Sequence, residues 1–392
     1  MISRAADRAL NRRARGAPSL PLAVEPEVAA FHASIPVVDL VVGSALFRAD
    51  LLAPHGPGHV DLERARAGGL DLVGLTIATR YPDLHGWLSA PHFRSLGIRP
   101  GRPGDLAIVA AFVRRIEAWA ARSGGRLVLT RGPEDLETIG DGLAAAAAPA
   151  APADPPAPDR SAELPEPPAL RAFIGVQSGQ ALDGDPRNVA ALTRLGVRML
   201  GLAHTMDSPL AGSSTGRRGG GLTGLGREVV AELEAQGVLV DLAHASMAAI
   251  RETVPLLKRP FVVSHTGFTA LATGGPRWRR FRPGRRNLED AEARLVGQAG
   301  GLIGVSLASP LVGASSLEAI VRTFEHAVDL VGPDQVALGS DFDGALPMPF
   351  DVTALPHLTA ALLGAGFGRG VVAGIMGRNA LRVLRGAPAR PA

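Results

Sequence analysis

The stretch Val238–Thr266, VLVDLAHASMAAIRETVPLLKRPFVVSHT, constrains the fold more than any other. Two short β-branched runs, Val238–Leu242 and Phe261–Val263, flank a helix-like segment, and each is followed by a histidine, His244 or His265. A strand–helix–strand unit crosses over with a right hand, so its strands run parallel and the residues just past their C-terminal ends emerge side by side. The two imidazoles are therefore delivered to one rim. In a (β/α) barrel that rim carries the chemistry. Each histidine sits among small or hydroxyl residues, Ala243-His244-Ala245-Ser246 and Ser264-His265-Thr266, which points to a metal site.

The same alternation runs through most of the chain. Strand-like runs fall at Ile35–Val42, Leu70–Ala78, Arg126–Thr130, Ala172–Val176, Val197–Ala203, Val238–Leu242, Phe261–Val263, Leu302–Ser306 and Val336–Gly339. Helical patterns lie near 187–194, 225–236, 247–256, 288–299 and 316–331. Asp105–Arg122 repeats Leu106, Val109, Phe112, Val113, Ile116 and Trp119 at helical spacing. This pattern predicts an α/β fold, a (β/α)8 TIM-type barrel of eight strands with a ninth miscounted or peripheral. A doubly wound sheet is the alternative, but no Gly-rich phosphate fingerprint follows an early strand. The stretch GRRGGGLTGLGRE at 216–228 reads instead as a rim loop and helix start.

With 392 residues, 46% of them hydrophobic, the chain can bury one large barrel, read as 35–385. Residues 1–34 read as a tail and short helix, and 386–392 as a C-terminal tail. Ala144–Pro168, AAAAAPAAPADPPAPDRSAELPEPP, reads as a low-complexity insertion and not a domain boundary, because strands and helices resume beyond it.

Composition removes several function classes. Aromatic residues make up 4% of the chain, too few for base-stacking platforms, and 41 basic against 37 acidic residues leave a net charge of only +4. No nucleic-acid partner is expected. With no cysteine there is no thiolate nucleophile, disulfide framework or zinc–sulfur site, so any metal must be held by His, Asp, Glu or an amide. No apolar run suits a signal peptide or a membrane span, and no hydrophobic tail follows the last helix pattern. A cytoplasmic protein without a membrane anchor is the expectation.

From Ala172 onward the wording becomes specific. LGVRMLGLAHTMDSP (195–209), GLTGLGREVVAELEAQGVLVDLAHAS (221–246), PFVVSHT (260–266), RRNLED (285–290), GGLIGVSL (300–307) and DLVGPDQVALGSDFDG (329–344) follow one another in that order. Together they resemble the membrane (renal) dipeptidase family of zinc peptidases, which are amidohydrolase-like barrels. Weaker likeness runs back through IGVQSGQAL (174–182) to IPVVDLV (35–41). The resemblance implies a dipeptidase with two bridged zinc ions on the C-terminal rim. A His-x-Asp pair after the first strand, a bridging Glu after a middle strand and two later histidines hold them in that family. Here His244 and His265 match the last two. His204 in LAHT and Arg286 in RRN match substrate-handling residues, and Asp341 in GSDFDG matches a further residue of that group, with a catalytic role.

The remaining ligand positions depart from the family. Its Asp-Gly-His-Asn-Asp-Leu becomes Asp39-Leu40-Val41-Val42-Gly43-Ser44, so Val41 and Gly43 stand where the metal-binding His and Asp would be. Its Glu-Gly-Gly-His becomes Gln177-Ser178-Gly179-Gln180, with Gln177 at the bridging carboxylate. Two neighbouring cations need anionic ligands to offset their repulsion, and a neutral amide is a weak donor. The expectation is zinc as one ion or none. His244, His265 and Asp341 supply the ligand count of a mononuclear site, with Asp343 and Gln177 as candidate bases. Asp39 is expected too deep in the barrel to substitute, on the premise that it shares a strand face with Val41 and Gly43. His55 and His59 are expected at the surface, and Ser264, adjacent to His265 in sequence, is not expected to form a nucleophile–base pair with it.

Two functions follow as expectations. One is metal-dependent hydrolysis of dipeptides or related small amides through an altered, at most mononuclear, centre. The other is a catalytically inactive homologue that binds a small molecule or dipeptide, or regulates. Assembly into a homo-oligomer is left open.

Overall fold

The computed structural model describes residues 23–47, 50–54, 58–80, 104–137, 139, 168–272 and 283–386. The tail up to residue 22, His55, nearly all of the Ala/Pro-rich stretch and residues 387–392 lie outside them. Nine strands occur among the described residues: β1 (Val38–Val42), β2 (Leu72–Ile77), β3 (Leu127–Leu129), β4 (Leu170–Val176), β5 (Val197–Gly201), β6 (Leu239–Asp241), β7 (Val262–Thr266), β8 (Leu302–Val305) and β9 (Val336–Leu338). Eight of them follow one another around the sheet in the order β1-β2-β4-β5-β6-β7-β8-β9, and β3 pairs only with β4. The expected peripheral strand is β3. Leu127–Leu129 pairs with the lower half of β4, at Leu170–Ala172, whereas β5 pairs with its upper half from Ile174 to Val176.

All pairings are parallel, and β1 meets the end of β9 through a parallel bridge between Val42 and Phe342. The Gly43 N–H donates to the Phe342 carbonyl at 2.7 Å and the Asp341 N–H to the Val41 carbonyl at 3.2 Å, which closes the barrel along this seam. Parallel strands covered on both faces read as continuous apolar runs, and β1 and β2 are buried at every position. Alternate side chains separate into two cores. Leu72, Phe173, Met199, Leu239, Val262 and Leu302 pack inside the barrel, while Val73, Ile174, Leu200, Val240, Val263 and Ile303 pack outward beneath the helices.

The helices begin where the sequence offers hydroxyl caps. Thr223, Ser246 and Ser316 each accept a backbone N–H with their side chains and start Gly224–Gln236, Met247–Thr253 and Leu317–Val331. Asp105–Arg122 forms over its full expected range and buries Val109, Phe112, Val113, Ile116 and Trp119, with Leu106 half-buried at its edge. At the N-terminal end of the barrel, Leu381 and Leu384 of the last helix, Asn379–Leu384, join the interior core and plug it. None of the described helices is long and apolar enough to cross a membrane.

One strand breaks the simple alternation. The pairing of β1 with β2 shifts register between Asp39 and Val42. Val41 therefore packs with Val38 and Leu40 in the interior cluster, and Asp39 bonds instead across the seam to Ser340. The expectation that Asp39, Val41 and Gly43 share one face fails at this irregularity.

Candidate functional site

The rim at the strand C-termini gathers His204, His244, His265, Arg286 and Asp341. β6 ends at Asp241, and the chain turns through Leu242 and Ala243 to His244, whose φ of 64° is left-handed. Asp341, just past β9, has the same φ of 64°, and Asp343 follows at 58°. Such conformations cost non-glycine residues about 1–3 kcal/mol and concentrate at functional sites. β7 carries His265 within the strand, slightly further along than its apolar run suggested. The rings of His204 and His244 stand edge to face with centroids 4.5 Å apart, and those of His244 and His265 are 4.9 Å apart.

The hydrogen-bond chain through the two rim histidines fixes their protons. The Ser264 hydroxyl donates to Asp241 Oδ2 at 2.6 Å, and its oxygen lies 2.9 Å from His265 Nδ1. With its only proton committed to Asp241, Ser264 accepts from His265 Nδ1–H. That leaves a lone pair on His265 Nε2, which faces His244 Nε2 at 3.0 Å. His244 therefore carries its proton on Nε2, and its buried Nδ1 has no partner. Ser264 contacts His265 through its oxygen, with its own proton turned to Asp241. It is fully buried and orients the ring, and it offers no nucleophile.

Electrostatics keep the imidazoles neutral. Burial, then the charge of Arg286, lowers His204 to about 4 and holds His244 and His265 well below the ordinary imidazole value. Arg286 itself is lowered by burial to about 10, with Asp341 and Asp241 opposing that, so it stays cationic. Its Nη2 donates to the His265 carbonyl at 2.9 Å. His204 and His244 feel this cation, and a buried polar atom of each has no hydrogen-bond partner. Buried polar groups are nearly always satisfied, so these two open nitrogens suit polar atoms of a ligand or solvent.

The acidic residues are spent elsewhere. Asp39 accepts from the Ser340 N–H at 2.9 Å, the Ser340 hydroxyl and the Val41 N–H at 3.2 Å. Asp343, a candidate base from the sequence, accepts from the His59 N–H at 2.5 Å and from the Ser44 hydroxyl, while its own N–H donates to His59 Nδ1 at 3.1 Å. Burial would raise Asp343, but these bonds hold it below the ordinary carboxylate value. It is a structural clamp, and His59 is buried within it, not at the surface as expected. Gln177 donates through Nε2 to Thr76 Oγ1 at 3.3 Å. Because the Thr76 hydroxyl in turn donates to the Val42 carbonyl, the amide is anchored by its nitrogen end.

These donors do not fit a dinuclear metal centre. Among the described residues no three His, Cys, Asp or Glu side chains come together to hold an ion. The expected trio of His244, His265 and Asp341 does not form such a group. Asp341 lies over Gly344, where an added Cβ would collide with its Oδ1. Val41 is a buried core side chain. At Gly43 a Cβ would fall 2.5 Å from the Asp343 carbonyl oxygen, leaving no space for the carboxylate of the family pattern. Asp241 and Ser264 are the site residues that sequence reading missed as a pair. The signal for them was period two along β6 and β7, which turns Asp241 and Ser264 inward like Leu239 and Val262 before them.

Comparison with known proteins agrees with the barrel. The family model for membrane dipeptidases, peptidase family M19, matches residues 161–390, more than half of the chain. The chain belongs to this family. It is 31% identical over 235 residues to an uncharacterized protein in the pqqA 5' region of Klebsiella pneumoniae, covering 56% of this chain and 83% of that one. It is 29% identical over 228 residues to dipeptidase 3 of Homo sapiens, covering 55% of this chain and 45% of that one. The chain thus spans about half the length of the curated dipeptidases it matches. Among solved structures, a metallopeptidase from Rhodobacter sphaeroides with a phosphinate mimic of the dipeptide L-Ala-D-Ala superposes with a TM-score of 0.68. It is 22% identical, with 90% of this chain and 99% of that chain covered, a likeness of fold. Membrane dipeptidases are metallopeptidases.

Proposed function

We propose that this M19 barrel recognises a small carboxylate-bearing ligand, a dipeptide or related amide, and does so without the dinuclear chemistry of its family. One observation carries the reading: two imidazoles converge at 3.0 Å, and among the described residues no third His, Cys, Asp or Glu joins them in a group that could hold an ion. Three neutral imidazoles around one cationic Arg286 make a pocket suited to an anionic group, and a guanidinium fork holds a carboxylate through two hydrogen bonds. The open Nδ1 atoms of His204 and His244 beside it suit an amide or an amine. No resident nucleophile stands ready, since the Ser264 proton is committed to Asp241 and the chain has no cysteine.

A second reading is supported by the same pair. Two nitrogens each about 2.0–2.1 Å from one zinc ion stand about 3 Å apart. The spacing of His244 and His265 suits a single ion, and hydrolysis through at most one metal is the form of catalysis compatible with this donor set.

The test is calorimetric binding of a dipeptide panel, together with quantitation of released amino acids with and without added zinc. Saturable binding with no release supports the first reading, and release dependent on one equivalent of zinc supports the second. Turnover that requires two equivalents would overturn both.

A further inference from the structure

At the end of the barrel opposite the rim, a small cavity of about 40 Å3 opens to solvent beneath the starts of β5 and β6 and the segment leading into β7. The end of the last helix, at Val383 and Leu384, forms its other wall. Arg198, Arg259 and Arg385 line it, and no acidic residue does.

The three arginines are held differently. Arg385 is fixed, because its Nη2 donates to the carbonyls of Leu136 at 2.6 Å and Ile139 at 3.0 Å. Arg259 leans over a glycine floor, with Nη2 3.3 Å from the position a Cβ on Gly237 would take. Arg198, at the start of β5, is half-buried. Neither the Arg198 nor the Arg259 guanidinium makes a hydrogen bond or ion pair among the described residues. Burial lowers the pKa of Arg198, Glu134 and Asp135 oppose this from outside the lining, and the like charge of Arg259 adds to it.

The bottom face of a barrel normally serves stability, which calls for apolar packing or paired charges. Two guanidinium groups turned into one cavity without a carboxylate in its wall do neither. Their planar donor forks match the oxygens of an oxyanion, and a doubly charged one offsets both cations at once. We propose that this cavity binds a phosphate-bearing small molecule through Arg198 and Arg259, at a site separate from the rim. The third arginine, anchored to backbone carbonyls, sets the far wall.

Isothermal titration of the full chain at low salt with inorganic phosphate and with pyrophosphate tests the site. One equivalent is expected to bind saturably, pyrophosphate more tightly, with affinity falling as salt is added. Arg198→Gln and Arg259→Gln are each expected to weaken binding at least tenfold, with the circular dichroism and thermal midpoint of the parent retained, because neither guanidinium ties another residue in place. Binding unchanged in the double variant would place the anion elsewhere and overturn the proposal. So would a parent protein that shows only weak, non-saturating uptake.

Discussion

Gly43 and Asp343 meet main chain to main chain across the barrel seam, where a Cβ at position 43 would lie 2.5 Å from the Asp343 carbonyl oxygen and 2.9 Å from its carbonyl carbon. Asp343 cannot retreat easily, since Ser44 and His59 clamp its carboxylate from both sides. Position 43 is therefore closed by a backbone contact that leaves no room for a side chain.

Gly43→Ala is expected to destabilise the fold by about 1–3 kcal/mol through overpacking, read from the urea midpoint. Gly43→Asp should cost at least as much. The combined reversion Val41→His, Gly43→Asp, Gln177→Glu should fail to reach two metal equivalents per chain. A Gly43→Ala variant as stable as the parent would mean that the seam yields.

Ser264→Ala removes a donor from Asp241 and an acceptor from His265 in a fully buried place. Leaving such groups unsatisfied costs about 1–3 kcal/mol each. The denaturation midpoint should fall accordingly, and a midpoint equal to the parent's would remove Ser264 as the residue that orients His265.

Burial raises Asp39 to about 7 against its bonds to Ser340 and Val41. In the unfolded chain the same carboxyl titrates near 4. Between those values the folded protein holds the proton that the unfolded chain has released. The contribution is therefore complete below about pH 4 and is lost as pH rises through about 7. Asp39→Asn keeps an acceptor for the Ser340 N–H and removes the titration. The stability difference between parent and variant should shift by a few kcal/mol, on the order of magnitude of a large pKa change, across that window in denaturant melts. A difference independent of pH would show that Asp39 is ionised throughout.

Arg286→Lys retains the charge and loses the fork. Dipeptide affinity should fall at least tenfold by calorimetry, because an ammonium cannot make the paired contact. Equal affinity would show that Arg286 acts through charge alone or lies away from the ligand.

The architecture was legible because its signals are local. β-branched runs, helical spacing along Asp105–Arg122 and hydroxyl caps such as Thr223 all act within a few residues. His244, His265, His204 and Arg286 were found from motif wording, and they do share the rim. Three features were beyond reach because they depend on contacts between distant segments. The clamp joining Ser44, His59 and Asp343 spans 299 positions in sequence. The register shift in β1 diverts Asp39 to Ser340, and the left-handed turn at Asp341 lays its carboxylate over Gly344. No periodicity in one strand announces any of these.

Metal content of the purified full chain, prepared without chelator or nickel affinity and measured by elemental analysis alongside dipeptide hydrolysis with added zinc, addresses the centre most directly. Two imidazoles without a carboxylate should hold one equivalent or none, and His244→Ala should abolish whatever is retained while leaving the fold intact. Two tightly held equivalents per chain with dipeptide turnover would contradict an altered centre.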